Sequence, residues 1–101
     1  MPKLYEYFGL MVLFYSNEHE PVHVHGKCEA RECRAEILLV NGAVTGIRYT
    51  RVSGRNPLTP REMQYFEEVV TARCDEIVRK WIDYFVLNKP VKSERITRRL
   101  K

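Results

Sequence analysis

The chain has 101 residues, 45% of them hydrophobic and 30% charged, with a net charge of +4. This is the length of one domain and the balance of a folded chain, so a single soluble globular domain is expected rather than a disordered one. The charge is uneven: residues 89–101 carry Lys89, Lys92, Arg95, Arg98, Arg99 and Lys101 against Glu94, a net +5 that leaves −1 for the rest, so a uniformly basic nucleic-acid-binding body is excluded.

No apolar run approaches the ~20 residues needed to cross a membrane. The start, Met1-Pro2-Lys3-Leu4, lacks the basic and apolar regions of a secretion signal. Three cysteines, Cys28, Cys33 and Cys74, are an odd number. Together these features lead to the expectation of a cytoplasmic protein with free thiols. Four residues separate Cys28 from Cys33, which does not suit a zinc-knuckle hairpin.

In chain order, residues 4–16 are rich in strand formers, pause at Gly9, and are expected to form a first strand. Pro21 holds Glu20 extended. Residues 22–28 then alternate as a second strand, 29–32 form a polar connection, and 33–40 alternate as a third. Asn41-Gly42 is a strong hairpin signal, because a type I′ turn needs positive φ at both central residues. A fourth strand follows, from about 43 to 52, with Gly46 as its weak point.

Thr59-Pro60-Arg61-Glu62 reads as a capping box with proline at the first helical position. Apolar residues then recur at Met63, Phe66, Val70, Cys74, Ile77, Trp81 and Phe85, steps of three and four that describe one helical face. The helix is expected to end near Leu87, with Asn88 as its cap and Pro90 barring continuation. It would run for about 42 Å. The predicted fold is α+β: a four-stranded, mainly antiparallel sheet followed by one long C-terminal helix packed on one face. Residues 1–101 form a single domain, with 89–101 as a basic tail.

All three histidines fall in His19-Glu20-Pro21-Val22-His23-Val24-His25-Gly26. If strands two and three pair across a 29–32 loop, Cys28 faces Cys33, Val24 faces Ile37, and Val22 faces Leu39 on one face. His23, His25, Lys27, Arg34, Glu36 and Leu38 then share the other, with His25 opposite Glu36. Carried through Asn41-Gly42, this register puts Ile47 and Tyr49 on the histidine face. Either a bulge at Gly46 reverses the alternation, or a second copy of the chain covers that face as a homodimer.

Three uses of the block follow. His19, His23 and His25 would bind a divalent, zinc-like metal, with Glu36 as fourth ligand and Glu18 or Glu20 as alternatives. A histidine pair with Tyr15, Lys27 and Arg34 would supply acid, base and anion stabiliser for ribonuclease-like phosphodiester cleavage. The plainer use is an interaction patch in which His25 pairs with Glu36. In the tail, Lys92, Arg95, Arg98 and Arg99 would contact nucleic acid or an acidic partner.

Tyr7-Phe8-Gly9, the block from Phe14-Tyr15-Ser16-Asn17-Glu18 through His25-Gly26, the later Ala35-Glu36-Ile37, and Trp81 in the helix resemble the uncharacterised prokaryotic family called domain of unknown function 4160. The resemblance covers roughly residues 3–90. It departs at Val22, where a second proline is common, and at Val24, where an aromatic is common. The resemblance implies a small α+β domain with no established activity, often found beside a second small protein in toxin–antitoxin-like arrangements. The expected role is therefore a non-enzymatic interaction module.

Overall fold

The computed structural model describes residues 2–15 and 22–100. Its strands are β1 (Lys3–Tyr7), β2 (Leu10–Leu13), β3 (His23–Cys28), β4 (Arg31–Val40), β5 (Ala43–Arg51) and β6 (Glu94–Ile96). Helix α1 (Pro60–Trp81) lies between β5 and β6 and ends in a π-helical turn, Ile82–Val86. The strands form one sheet in the order β5-β4-β3-β2-β1-β6, antiparallel except for the β1–β6 pair.

The α+β class and the single helix on one face are as expected, but the sheet has six strands rather than four. Two local features account for the difference. Phe8 and Gly9 both adopt positive φ, 49° and 86°, and fold the expected first strand into a β1–β2 hairpin. Gly9 takes that conformation freely, but Phe8 does so against its own preference. The second feature is the tail. It returns after the helix and lays β6 alongside β1, with Ile96 buried in the core.

The helix follows its sequence signals closely. Thr59 accepts from the Glu62 amide at 3.2 Å, and Glu62 reaches back to the Thr59 amide at 2.9 Å. Phe66, Val70 and Ile77 of the expected stripe are fully buried, joined by Val69. Asn88 takes a φ of 55°, the left-handed cap expected of it.

Strand pairing explains which side chains meet the helix. Cys28 pairs with Arg31, so β3 and β4 are joined by the two-residue turn Glu29-Ala30 and not by a four-residue loop. The register therefore moves by two: Val24 faces Ala35, Gly26 faces Cys33, and His23, not His25, lies opposite Glu36. A shift of two preserves the alternation. The valine face still meets the helix and the histidines still point away from it. Between β4 and β5 the pairing slips, with Leu38 opposite Gly46 but Leu39 opposite Val44, leaving Thr45 as the extra residue. This bulge reverses the alternation along β5. Ile47 and Tyr49 thereby join the helix face, where Tyr49 meets the Phe66 ring edge-on, and Arg48 joins the histidine face. The bulge alone resolves the misfit, so the alternation no longer calls for a second copy over that face.

Gly26 marks the closest approach of sheet and helix. A Cβ there would stand 2.7–2.9 Å from three ring atoms of Phe66. We expect Gly26→Ala to destabilise the fold by roughly 1–3 kcal/mol through overpacking, read as a lower urea midpoint.

Ion pairs also fasten the helix to its surroundings. Arg31 holds Glu62 through two contacts, 2.8 and 2.6 Å, joining the start of β4 to the first helical turn. Glu68 accepts from Arg99 at 3.1 and 2.5 Å and from the Tyr7 hydroxyl at 2.5 Å, tying the tail and β1 to mid-helix. The arginine contacts, foremost in each case, lower both carboxyls from 4.5 to about 2. A carboxyl depressed in the folded state stabilises above its unfolded pKa, and that stability is lost as pH falls through the folded value. The melting temperature should therefore fall between about pH 5 and pH 2, and Glu62→Gln should make that slope shallower.

Candidate functional site

The face away from the helix carries a polar layer built on β3 and β4. His23, His25, Glu32 and Glu36 are all buried, the histidines to 2% exposure and Glu32 to 1%. Alternation explains the set: residues 23 and 25 share a face on β3, and residues 32, 34 and 36 share the same face on β4.

Glu32 is the hub. Its Oε2 accepts from the Tyr15 hydroxyl at 2.7 Å and lies 2.9 Å from Nδ1 of His25. Its Oε1 accepts from Nε of Arg55 at 3.1 Å. Its backbone N–H donates to the Asn56 carbonyl at 2.9 Å, fixing the 53–56 turn beside β4. The Tyr15 ring packs edge-on to His25 at 4.3 Å, and the rings of His25 and His23 meet at 5.3 Å. A continuous polar and aromatic chain thus runs from Arg55 through Glu32 to both histidines.

Glu36 forms a second centre. Arg48 reaches its Oε1 through Nε at 2.8 Å and through Nη2, and Arg34 reaches its Oε2 at 2.9 Å. The Arg48 hydrogen bonds are the main reason the Glu36 carboxyl sits below its ordinary range. Two cations on one carboxylate leave a net positive charge at this corner of the sheet.

The expected site residues are thus partly brought together. His23 and His25 are neighbours, as their spacing required. Glu36 is near them, but it faces His23 and is engaged by two arginines, so the predicted His25–Glu36 pair is replaced by His25–Glu32. His19, with Glu18 and Glu20, lies outside the described residues. Among the described residues, no three histidine, cysteine, aspartate or glutamate side chains converge to hold a metal. In the tail, Arg95 pairs with Glu6 and Arg99 with Glu68, with the Arg99 guanidinium 5.0 Å from the Tyr65 ring centre. Lys92 and Arg98 are exposed.

Glu32, Arg48 and Arg55 were not among the candidates. The signal for Glu32 was its even number in a strand whose outward residues are 34 and 36; placing it in a loop hid it. Arg48 depended on the bulge. Arg55 comes from a turn whose position only the folded chain defines.

A family model described as domain of unknown function (DUF4160) matches residues 9–82, most of the chain. The chain belongs to the DUF4160 family. The match spans β2 through α1 and so contains the whole Glu32 and Glu36 network of this DUF4160 domain, while β1 and β6, which pair with each other, lie outside it. No curated protein and no solved structure matches the chain. No helix among the described residues is long and apolar enough to cross a membrane.

Truncating Glu32 would strand Arg55 and His25 without their shared carboxylate. We expect Glu32→Ala to cost roughly 3–5 kcal/mol in urea unfolding. Glu29→Ala, at a side chain 79% exposed, should change stability by less than about 0.5 kcal/mol.

Proposed function

We propose that this chain is a non-enzymatic interaction module that acts with a second small protein, as in toxin–antitoxin-like pairs. The observation that carries this reading is the closure of the histidine layer. Both rings and both carboxylates are buried, Glu32 is gripped from three other segments, and Glu36 is bracketed by two arginines. A general acid or base has to reach the proton it transfers in the bound substrate. Groups this deeply buried, 1–7% exposed, and engaged with one another serve better as a polar core that orders the sheet, leaving recognition to its surface and edges.

One arrangement favours a second reading. His25 beside Glu32, with Tyr15 on the same carboxylate and Arg34, Arg48 and Arg55 around them, has the composition of a phosphodiester-cleaving site.

The two readings separate in paired experiments. Co-expression with the product of the adjacent small reading frame should yield a stoichiometric complex by size-exclusion chromatography and native mass spectrometry. Incubation of the purified chain with total RNA should give no cleavage above a buffer control. RNA cleavage that disappears in both His25→Ala and Glu32→Gln would overturn the interaction reading in favour of the second.

A further inference from the structure

We propose that the outer edge of β5 is a docking strand for an extended, acidic segment of the partner. The proposal rests on the reading of this chain as an interaction module, and names the surface and the chemistry of what it holds.

The sheet has two edges of different character. At one end β6 is three residues long, too short to template another strand. At the other, β5 runs for nine residues, and no described strand pairs with its outer side. The bulge lies near the hairpin tip, so residues 46–51 pair regularly with β4 and offer an even row of outward backbone groups. An open edge of this length is a ready acceptor for an added strand unless its side chains repel one.

Those side chains select the strand. Residues 43–55 contain Arg48, Arg51 and Arg55 and no aspartate or glutamate. The Arg48 side chain is 65% exposed even while it reaches Glu36. Arg51 is exposed and makes no ion pair among the described residues. Behind Arg48 on the same face stands Arg34, so two cations share the single Glu36 carboxylate. On the opposite face, Ile47 and Tyr49 are only half-buried beside the helix. At the hairpin tip, Leu38, Leu39 and Val40 are 44%, 37% and 57% exposed. A strand laid against β5 would therefore meet Arg48 on the histidine face and Ile47 and Tyr49 on the helix face, where Arg51 follows them at the end of the strand, opposite Cys33. Alternating residues, acidic toward Arg48 and apolar toward Ile47 and Tyr49, match this stretch with period two, and an acidic residue at the end of the segment reaches Arg51.

A second copy of this chain is the poorer occupant. Antiparallel pairing of two β5 edges would bring Arg48 and Arg51 of both copies together with no acidic side chain from either edge strand between them. A nucleic acid would satisfy the arginines but not the edge, because phosphates only accept hydrogen bonds whereas a strand edge presents donors and acceptors alternately.

The test uses the full chain and a fluorescently labelled short peptide of alternating glutamate and valine. Binding is measured by polarisation against two control peptides. One carries lysine for glutamate, and the other is N-methylated at alternate residues along one edge. The glutamate peptide should bind, and the lysine and N-methylated peptides should not. The double variant Arg48→Gln/Arg51→Glu, with folding confirmed by circular dichroism, should weaken binding by about tenfold or more. Equal binding by parent and double variant, or by the N-methylated peptide, would overturn the proposal. So would binding of a single-stranded RNA of equal charge as tightly as the peptide. The co-expressed complex separates the two levels of the argument. A complex that survives the double variant unchanged removes the β5 proposal and leaves the module reading standing. Failure of the parent to form any complex, together with histidine-dependent RNA cleavage, removes the module reading itself.

Discussion

An ionised carboxylate inside a protein has to be surrounded by donors, because its lost hydration is otherwise uncompensated. Glu32 meets that requirement with groups from three other parts of the chain: Tyr15 just after β2, His25 on β3 and Arg55 in the turn after β5. Its own backbone N–H adds the Asn56 carbonyl. One side chain thus specifies how β2, β3, β4 and the 53–56 turn lie relative to one another. Buried polar groups of this kind favour one arrangement over others that would leave a charge unpaired.

The second constraint is alternation. The sheet separates an apolar face, covered by α1, from a polar face carrying the histidines, and each strand has to present the correct residues to each. The turn at Glu29-Ala30 and the bulge at Thr45 act on that alternation in different ways. Moving the β3–β4 register by two changes which residues are opposite one another but not which face they occupy. Inserting one residue in β5 changes the face, sending Ile47 and Tyr49 to the helix and Arg48 to Glu36. The polar layer and the apolar core are therefore two consequences of one pairing pattern.

Much of this was legible in the residues. The helix, its capping box, its apolar stripe and its asparagine cap all follow from short-range rules, and the folded chain obeys them. The outward placement of His23 and His25 followed from alternation alone. What escaped reading were turns without the usual residues. Phe8 and Glu29 adopt positive φ, a conformation that neither side chain advertises, so the first hairpin looks like one strand and the second like a hairpin with a four-residue loop in place of a two-residue turn. The error at Glu29 removed Glu32 from the strand and hid the hub of the candidate site. The strand in the tail is illegible for a different reason. Three residues of β6 carry little strand signal of their own, and they are strands because β1 lies beside them.

The amino-acid sequence by itself determined the long capped helix, the Asn41-Gly42 hairpin, the face on which each β3 residue lies and membership of the DUF4160 family. These depend on residues a few positions apart, or on a pattern spread along the chain. Tertiary structure alone decided that Glu32 and not Glu36 takes His25, that Arg34 and Arg48 converge on Glu36, and that β1 and β6 close one end of the sheet while no described strand lies beyond β5 at the other. Each of those outcomes joins segments distant in sequence. Their pairing is set by burial of charge and by register across strands, which no local pattern encodes.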